Sequence, residues 1–385
     1  MSFLFNAKLP RLLWLSVALS FLSGCSVFTG DDGRYNPAPL TEYRPGLSAR
    51  IAWKAQLGKG SGIGFVPAVV GSVVYAATSD GVVGKYDLNS GAAVWTAKVD
   101  KKLSAGVGSD GKITAVVTAD AMVVAFDESG QIKWRSKASS EVSVPPVVGA
   151  GVVVVRSGDY RVQAFNAETG ERIWSVQRPG PALALRAPAR MLLLEGLVIS
   201  AIPGGKLIAI NAVSGDVQWE GTVALPKGST DLERVNDVVG LPALSGSLLC
   251  AVAFQGRAIC FDITAGGRTV WGKDFSSAVG MTIDATQVYV PNERDAVSAF
   301  SLKNGGLAWR QDALRNRKLT SPAAVPGGVA VGDLEGFVHF LSPVDGQLLA
   351  RISVGGGAIQ APLLSTPQGV LVQSGDGLLV MIGLN

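Results

Sequence analysis

A glycine followed four residues later by tryptophan recurs along the chain, at Gly91–Trp95, Gly130–Trp134, Gly170–Trp174, Gly215–Trp219, Gly267–Trp271 and Gly305–Trp309. A further copy has Gly346 with Ala350 in the tryptophan place, and Trp53 stands alone before the first. Seven of the eight tryptophans hold this one position, so the spacing is a repeat and not a compositional accident. The closing positions 53, 95, 134, 174, 219, 271, 309 and 350 are separated by 42, 39, 40, 45, 52, 38 and 41 residues. A period of this size marks stacked units that cannot bury their apolar faces alone.

Within each unit the apolar runs are short and bounded by turn residues. Val73 to Trp95 reads as a strand, a Ser-Asp-Gly turn, a strand ending in Tyr86-Asp87, an Asn-Ser-Gly turn and a closing strand. The aromatic or apolar residue followed by Asp, Asn or Ser recurs at Phe126-Asp127, Phe165-Asn166, Ile210-Asn211, Phe261-Asp262, Phe300-Ser301 and Leu341-Ser342. An Asp or Asn there caps the following turn through its own side chain. A second hairpin upstream, such as Val70-Gly71-Ser72, brings each unit to four strands. Four-stranded units of about 40 residues predict a β-propeller, here all-β with eight antiparallel blades. The last unit has three strands, around Ile359–Leu364, Val370–Gln373 and Leu378–Ile382, and lacks a fourth. The orphan strand ending at Trp53 is expected to complete it and close the ring. Each ring buried between blades contributes about 2–3 kcal/mol.

The composition agrees: 48 glycines, 48% hydrophobic and only 17% charged residues suit many strands and tight turns. The formal charge of +4 falls to +2 without Lys8 and Arg11, and no basic helix or aromatic-basic platform argues for nucleic acid.

Residues 1–24 read as a signal peptide. Lys8 and Arg11 precede Leu12–Leu22, an apolar run too short for a bilayer, which needs about 20 residues. Leu22-Ser23-Gly24-Cys25 resembles the lipobox of bacterial lipoproteins. That resemblance implies lipidation of Cys25 after cleavage before it, and Ser26 implies the outer rather than the inner membrane. Residues 25–45 read as a tether rich in Pro, Gly and Asp, and residues 46–385 as the propeller.

The two longest intervals are adjacent. The first extra stretch, before blade four, contains Leu183, Leu185 and Arg186; the second, before blade five, contains Asp231, Glu233, Arg234 and Asp237. Insertions on a rigid scaffold are where binding concentrates, and Arg beside apolar residues suits a protein interface. The basic run Arg315-Asn316-Arg317-Lys318 reads as a solvated turn. Cys250 and Cys260 flank the turn at Gln255-Gly256. Register decides whether they face one another, so a disulfide and two buried small side chains remain as alternatives, the second being the plainer expectation. His339 sits in an apolar strand and is expected to pack.

The repeats resemble those of quinoprotein dehydrogenases that bind pyrroloquinoline quinone (PQQ). The vicinal cysteine pair and the haem Cys-x-x-Cys-His of those enzymes are absent here, and no calcium set stands out among the turn acids. A periplasmic PQQ-dependent dehydrogenase is therefore the alternative reading, and no cofactor is expected. From lipobox to last strand the chain resembles the BamB family of outer-membrane assembly lipoproteins. The most specific segments are Leu183-Ala184-Leu185-Arg186, Gly228 to Val238, Leu319-Thr320-Ser321-Pro322 and Val331 to Gly336. The resemblance implies a non-enzymatic subunit of the β-barrel assembly machinery, anchored to the outer membrane on its periplasmic face. It would dock on the POTRA domains of BamA, meet the other assembly lipoproteins through BamA and help deliver unfolded outer-membrane proteins. Leu183, Leu185, Arg186 and Asp237 would touch the partner, with Glu233 and Arg234 beside them. The family's second Asp, two residues after Asp237, is Val239 here, which removes one polar contact.

Overall fold

The computed structural model describes residues 1–2, 33–180, 183 and 189–384. Residues 38–385 form one unit; in the described part of the other, residues 1–37, Gly33–Tyr35 make a single 3-10 turn. The larger unit is an eight-bladed β-propeller. Blade one runs through Ala68–Val70, Val73–Ala77, Val82–Asp87 and Ala93–Lys98, paired in that order from axis to rim. Blades two to seven repeat the plan over 108–137, 147–177, 192–222, 238–274, 282–311 and 323–353. Blade eight takes Leu364–Thr366, Gly369–Gln373 and Leu378–Leu384 from the C-terminus and Ala49–Gln56 from the other end of the unit. Trp53 pairs with Met381, so the ring closes as the orphan strand predicts.

Connections from an outermost strand to the next innermost one share one face of the disc with the turns between second and third strands. We call this the connection face. The other two sets of turns make the hairpin face.

The described residues hold one apolar cluster between each pair of neighbouring blades. For example, Trp134 packs with Val153 and Phe165 between blades two and three, and Trp309 with Val329 and Leu341 between six and seven. The closing tryptophan reaches its neighbour because of a feature that strand periodicity does not reveal. In every blade the residue just before the closing position is skipped in the ladder: Tyr86 pairs with Ala93 but Lys85 with Trp95, which leaves Val94 unpaired. The same bulge falls at Lys133, Ile173, Gln218, Val270, Ala308, Leu349 and Ala52. One extra residue re-aims the next side chain. It sends the indole into the inter-blade cleft and leaves Val94, Ile173 and Val270 exposed on the rim.

Each indole then lies on the repeat glycine of the following blade. Gly130 has φ +83, and a Cβ there would stand 2.6 Å from Trp95 Cδ2. Six indole N–H groups also donate across the cleft, as Trp134 Nε1 does to the Ala167 carbonyl at 2.8 Å and Trp271 Nε1 to Leu302 at 2.7 Å. Ala350 replaces tryptophan for a structural reason. The third and fourth strands of blade eight come from distant parts of the chain, so no glycine turn exists for an indole to cover. Gly130→Ala is expected to lower unfolding free energy by about 2–3 kcal/mol, since it adds a clash to left-handed strain. Gly151→Ala (φ +77, with nothing within 4 Å of the Cβ) should lose about 1 kcal/mol, the strain alone. Denaturant unfolding of the two variants checks the difference.

The turn acids cap as expected. Asp87 Oδ1 accepts the Ser90 and Asn89 amides at 2.8 and 3.1 Å, and Asn211 Oδ1 accepts those of Val213 and Ser214 at 3.0 Å each. The cysteines depart from the plainer expectation. Cys250 and Cys260 are directly opposite in the ladder of blade five and are joined as a disulfide, both fully buried. Register is the cause: the turn between them places the two on one face of the sheet. Replacing both by alanine is expected to lower stability by about 2–3 kcal/mol for so short a loop, measured by unfolding under non-reducing conditions.

The basic run at 315–318 also departs from its expectation. Arg317 is only 2% exposed. Its Nε donates to Asp333 Oδ2 at 2.8 Å, and its other nitrogens reach Glu335 and the Ala38 carbonyl. His339 packs, as expected, but inside this ionic cluster: its Nε2 meets Asp333 Oδ2 at 2.8 Å.

Candidate partner-binding surface

Both long intervals fall in connections on the same face, 178–191 entering blade four and 223–237 entering blade five. The end of the first connection is tied to the innermost strand of blade five, just past the second. Ala189 and Gly240 form a parallel bridge, and the Arg190 amide donates to the Gly240 carbonyl at 2.8 Å. Gly240 has φ +72 and passes so near Gly280 that a Cβ would lie 2.6 Å from its Cα. Only glycine lets blades four, five and six approach so closely there.

The second connection is built from its own side chains. The Glu233 carboxylate accepts the Ser229 and Thr230 amides at 2.8 and 3.1 Å, and the Glu233 amide donates to Thr230 Oγ1 at 3.3 Å. Those backbone donors, Ser229 first, hold its carboxyl below the ordinary glutamate value. In the amide orientation that satisfies both its side-chain atoms, the Gln255 nitrogen donates to the Leu232, Glu233 and Val235 carbonyls at 3.2, 3.2 and 3.1 Å. The loop is thereby a formed turn, with Leu232 72% exposed at its crest and Arg234 exposed beside it. An apolar side chain presented on a stiff loop loses little entropy on binding.

Asp237 stands lower, at 8% exposure. Its Oδ1 accepts the Gly204 amide at 3.2 Å and its carbonyl accepts the Phe254 amide at 2.9 Å, which ties the loop to the turns of blades four and five. It also faces Arg156. Burial lowers the pKa of that guanidinium and the Asp237 charge works against the shift, while Arg156 Nη1 donates to the Ala201 carbonyl at 2.9 Å. Leu183 is 41% exposed. Leu185, Arg186 and Cys25 lie outside the described residues. Val239, in place of the second Asp, is buried opposite Val252 in the blade-five ladder.

The structure thus divides the expected residues by task. Leu183 and Arg234 face outward from separate connections, whereas Glu233 and Asp237 hold the loop that displays Arg234. Leu232 and Gln255 escape a reading from sequence. An isolated leucine amid charges is a signal for the first; the second has none, because its contacts come from the neighbouring hairpin. Arg190, also unforeseen, lines a cavity of about 320 Å³ bounded by innermost strands, with Ala68, Gly108, Pro146 and Leu193. Burial pushes its pKa down to about 10.

Among the described residues no group of His, Cys, Asp and Glu is placed to hold a metal ion, and no helix is long and apolar enough to cross a membrane. The cavity wall of Pro, Ala, Gly, Val, Leu, Met, two serines and one arginine does not fit a quinone paired with calcium, since it offers no carboxylate. Cys250 and Cys260 are committed to their bond.

The family described as "Outer membrane protein assembly factor BamB" matches residues 79–311 and 293–385. A curated protein of Bordetella pertussis with the same description is 63% identical over 364 residues, 94% of each chain. The crystal structure of BamB from Moraxella catarrhalis superposes with a TM-score of 0.81 at 24% identity, over 87% of this chain and all of that one. The quinohemoprotein alcohol dehydrogenase of Comamonas testosteroni superposes at 0.67 with 14% identity, over 87% of this chain and 76% of that one, and shares the fold alone.

Proposed function

The chain belongs to the BamB family of outer membrane protein assembly factors, and from that premise we propose that it docks on the POTRA domains of BamA through the connections entering blades four and five. It is an assembly factor of that machinery and not an enzyme; the dehydrogenases are distant relatives in fold. One observation carries the docking proposal. Two insertions enter neighbouring blades on one face: the first presents Leu183 and is tied at Ala189 to the innermost strand of blade five, and the second presents Leu232 and Arg234 on a loop braced by Glu233, Gln255 and Asp237. Exposed apolar side chains ringed by charge are the composition of a hot spot with a polar rim. Leu185 and Arg186 belong to the same surface in this reading.

Lipidation of Cys25 places the disc at the periplasmic face of the outer membrane, with residues 25–45 as the link. The buried Cys250–Cys260 bond supports an oxidising compartment. The other lipoproteins of the machinery are reached through BamA. Unfolded outer-membrane proteins are its clients, and blade edges offer them strand pairing. Co-purification tests the docking: the wild-type chain is expected to retain BamA from detergent extracts, and a variant with residues 226–234 replaced by a Gly-Ser linker to release it. Retention of BamA by that variant, with the propeller still folded, contradicts the proposal. Incorporation of labelled palmitate into the wild type and not into Cys25→Ser tests the anchor.

A further inference from the structure

The segment before the first strand is strapped to the rim of blade seven. Both backbone groups of Ala38 are used: its amide donates to the Arg315 carbonyl at 2.9 Å and its carbonyl accepts Arg317 Nη1 at 2.8 Å. Arg351 Nη2 donates to the Thr41 carbonyl at 2.9 Å, and the Arg351 amide donates to the Tyr43 hydroxyl at 3.1 Å. The Arg351 guanidinium also lies over the Tyr43 ring, 5.3 Å from its centroid. The Gly46 amide donates to the Leu349 carbonyl at 3.0 Å, and Leu47 packs on the cluster between blades seven and eight. The clamp residues are themselves fixed. Asp333 and Glu335 hold Arg317, and Arg351 Nε lies 3.4 Å from His339 Nδ1.

The strap runs antiparallel to the outermost strand Leu348–Ser353. Followed backward from Ala49, the chain starts on the hairpin face, passes Leu349 and then Arg351, and reaches Arg315 on the connection face. It therefore leaves the propeller on the face that carries Leu183 and Leu232, and it covers the edge that blade seven would otherwise present.

We propose that this strap is a fixed exit for the lipid anchor, which turns the connection face toward the membrane so that lipid and protein partner are met from one side of the disc. The inference rests on the lipidation of Cys25 proposed above. From Cys25 to Ala38 there are 38 − 25 = 13 residue steps, which span at most about 45 Å. Presenting the hairpin face instead would send the chain back down a rim about 20 Å deep, the length of a six-residue strand, and use nearly half of that reach. Without the clamp the exit slides to the start of Ala49–Gln56, on the hairpin face.

Two measurements on the full lipidated chain separate the strap from the anchor. Hydrogen exchange of the Ala38 and Gly46 amides is expected to be slow in the wild type and at least tenfold faster in Arg351→Ala/Tyr43→Ala, with the blades unchanged. Fast exchange in the wild type overturns the strap. Single cysteines at Arg294→Cys (connection face) and Lys303→Cys (hairpin face), both on blade six, then carry a dye on chains bound to phosphatidylethanolamine–phosphatidylglycerol vesicles with headgroup acceptors. Energy transfer from 294 is expected to exceed that from 303 at least twofold, and the difference to collapse in the double variant. Equal transfer in bound wild-type chains overturns the orientation. Failure of the wild type to float with the vesicles overturns the anchor reading, and with it the orientation, but leaves the exchange result standing.

Discussion

On the proposed docking, Leu183→Glu combined with Arg234→Glu is expected to leave the propeller folded and to weaken binding to the isolated POTRA domains of BamA by at least thirtyfold. Both side chains are exposed and neither takes part in the bonds that shape the connections, so stability should move by less than about 0.5 kcal/mol. The binding loss follows from the chemistry of the patch. In the proposed interface an apolar anchor becomes a desolvated charge, and an exposed guanidinium becomes a repelling carboxylate. Asp237→Ala also weakens binding, but with a second signature. It removes the acceptor of the Gly204 amide and the charge beside Arg156, so the loop loosens and thermal stability falls as well. Titration calorimetry and thermal unfolding on the same samples separate a contact residue from a supporting one.

Arg317→Ala lowers the free energy of unfolding by about 3–5 kcal/mol, because it leaves Asp333 buried with a charge that has lost its cation. Arg315→Ala, two residues away and exposed, changes it by less than about 0.5 kcal/mol. The cluster also sets an acid limit. With Arg351 Nε donating to His339 Nδ1, the imidazole proton sits on Nε2 and is given to Asp333. Burial lowers the His339 pKa, against the pull of Asp333, so the ring is neutral in the fold. An imidazole freed by unfolding takes up a proton below about pH 6.5. The folded value is depressed, so this part of the stability is present above that pH and is lost as pH falls toward the folded value. Burial would raise Asp333, but bonds from His339, the Phe337 amide and Arg317 hold it below the ordinary carboxylate value. Its contribution is present above the unfolded value and is lost at still lower pH. His339→Gln should flatten the fall in stability just below pH 6.5 and leave the deeper acid limit in place, as unfolding curves at a series of pH values will record.

The ring, its eight blades and the strand that closes it are legible in the sequence because one residue type recurs at one place. Gly-x-x-x-Trp encodes a contact between neighbours: the glycine of one blade is the floor for the indole of the blade before it. The bulge at Val94 and its seven equivalents is not legible, since a skipped residue looks like a break in alternation until the partner strand is known. Ala350 looks like an eroded repeat until the split origin of blade eight explains it. The positions of the two insertions are legible from interval length alone, but the division of labour within them is not. Glu233 turns back to backbone amides of its own loop, four residues or fewer away, a choice that composition does not reveal. Arg317 fails as a solvated turn residue for a similar reason. Asp333, Glu335 and His339 arrive from the next hairpin, and only the ring's geometry folds them onto it. The cysteine pair turns on one residue of register, which the turn between the strands sets.

The central claim is that the connection face at blades four and five is where the assembly machinery is gripped. A photo-crosslinking amino acid placed at Leu183, Leu232, Val213 or Val344 in living cells tests it most directly. All four side chains are exposed and apolar; the first two are on the connection face and the last two on hairpin-face turns. Crosslinks to BamA from 183 and 232, and none from 213 and 344, are the predicted result. Crosslinks from 213 or 344 with none from 183 and 232 would contradict the account.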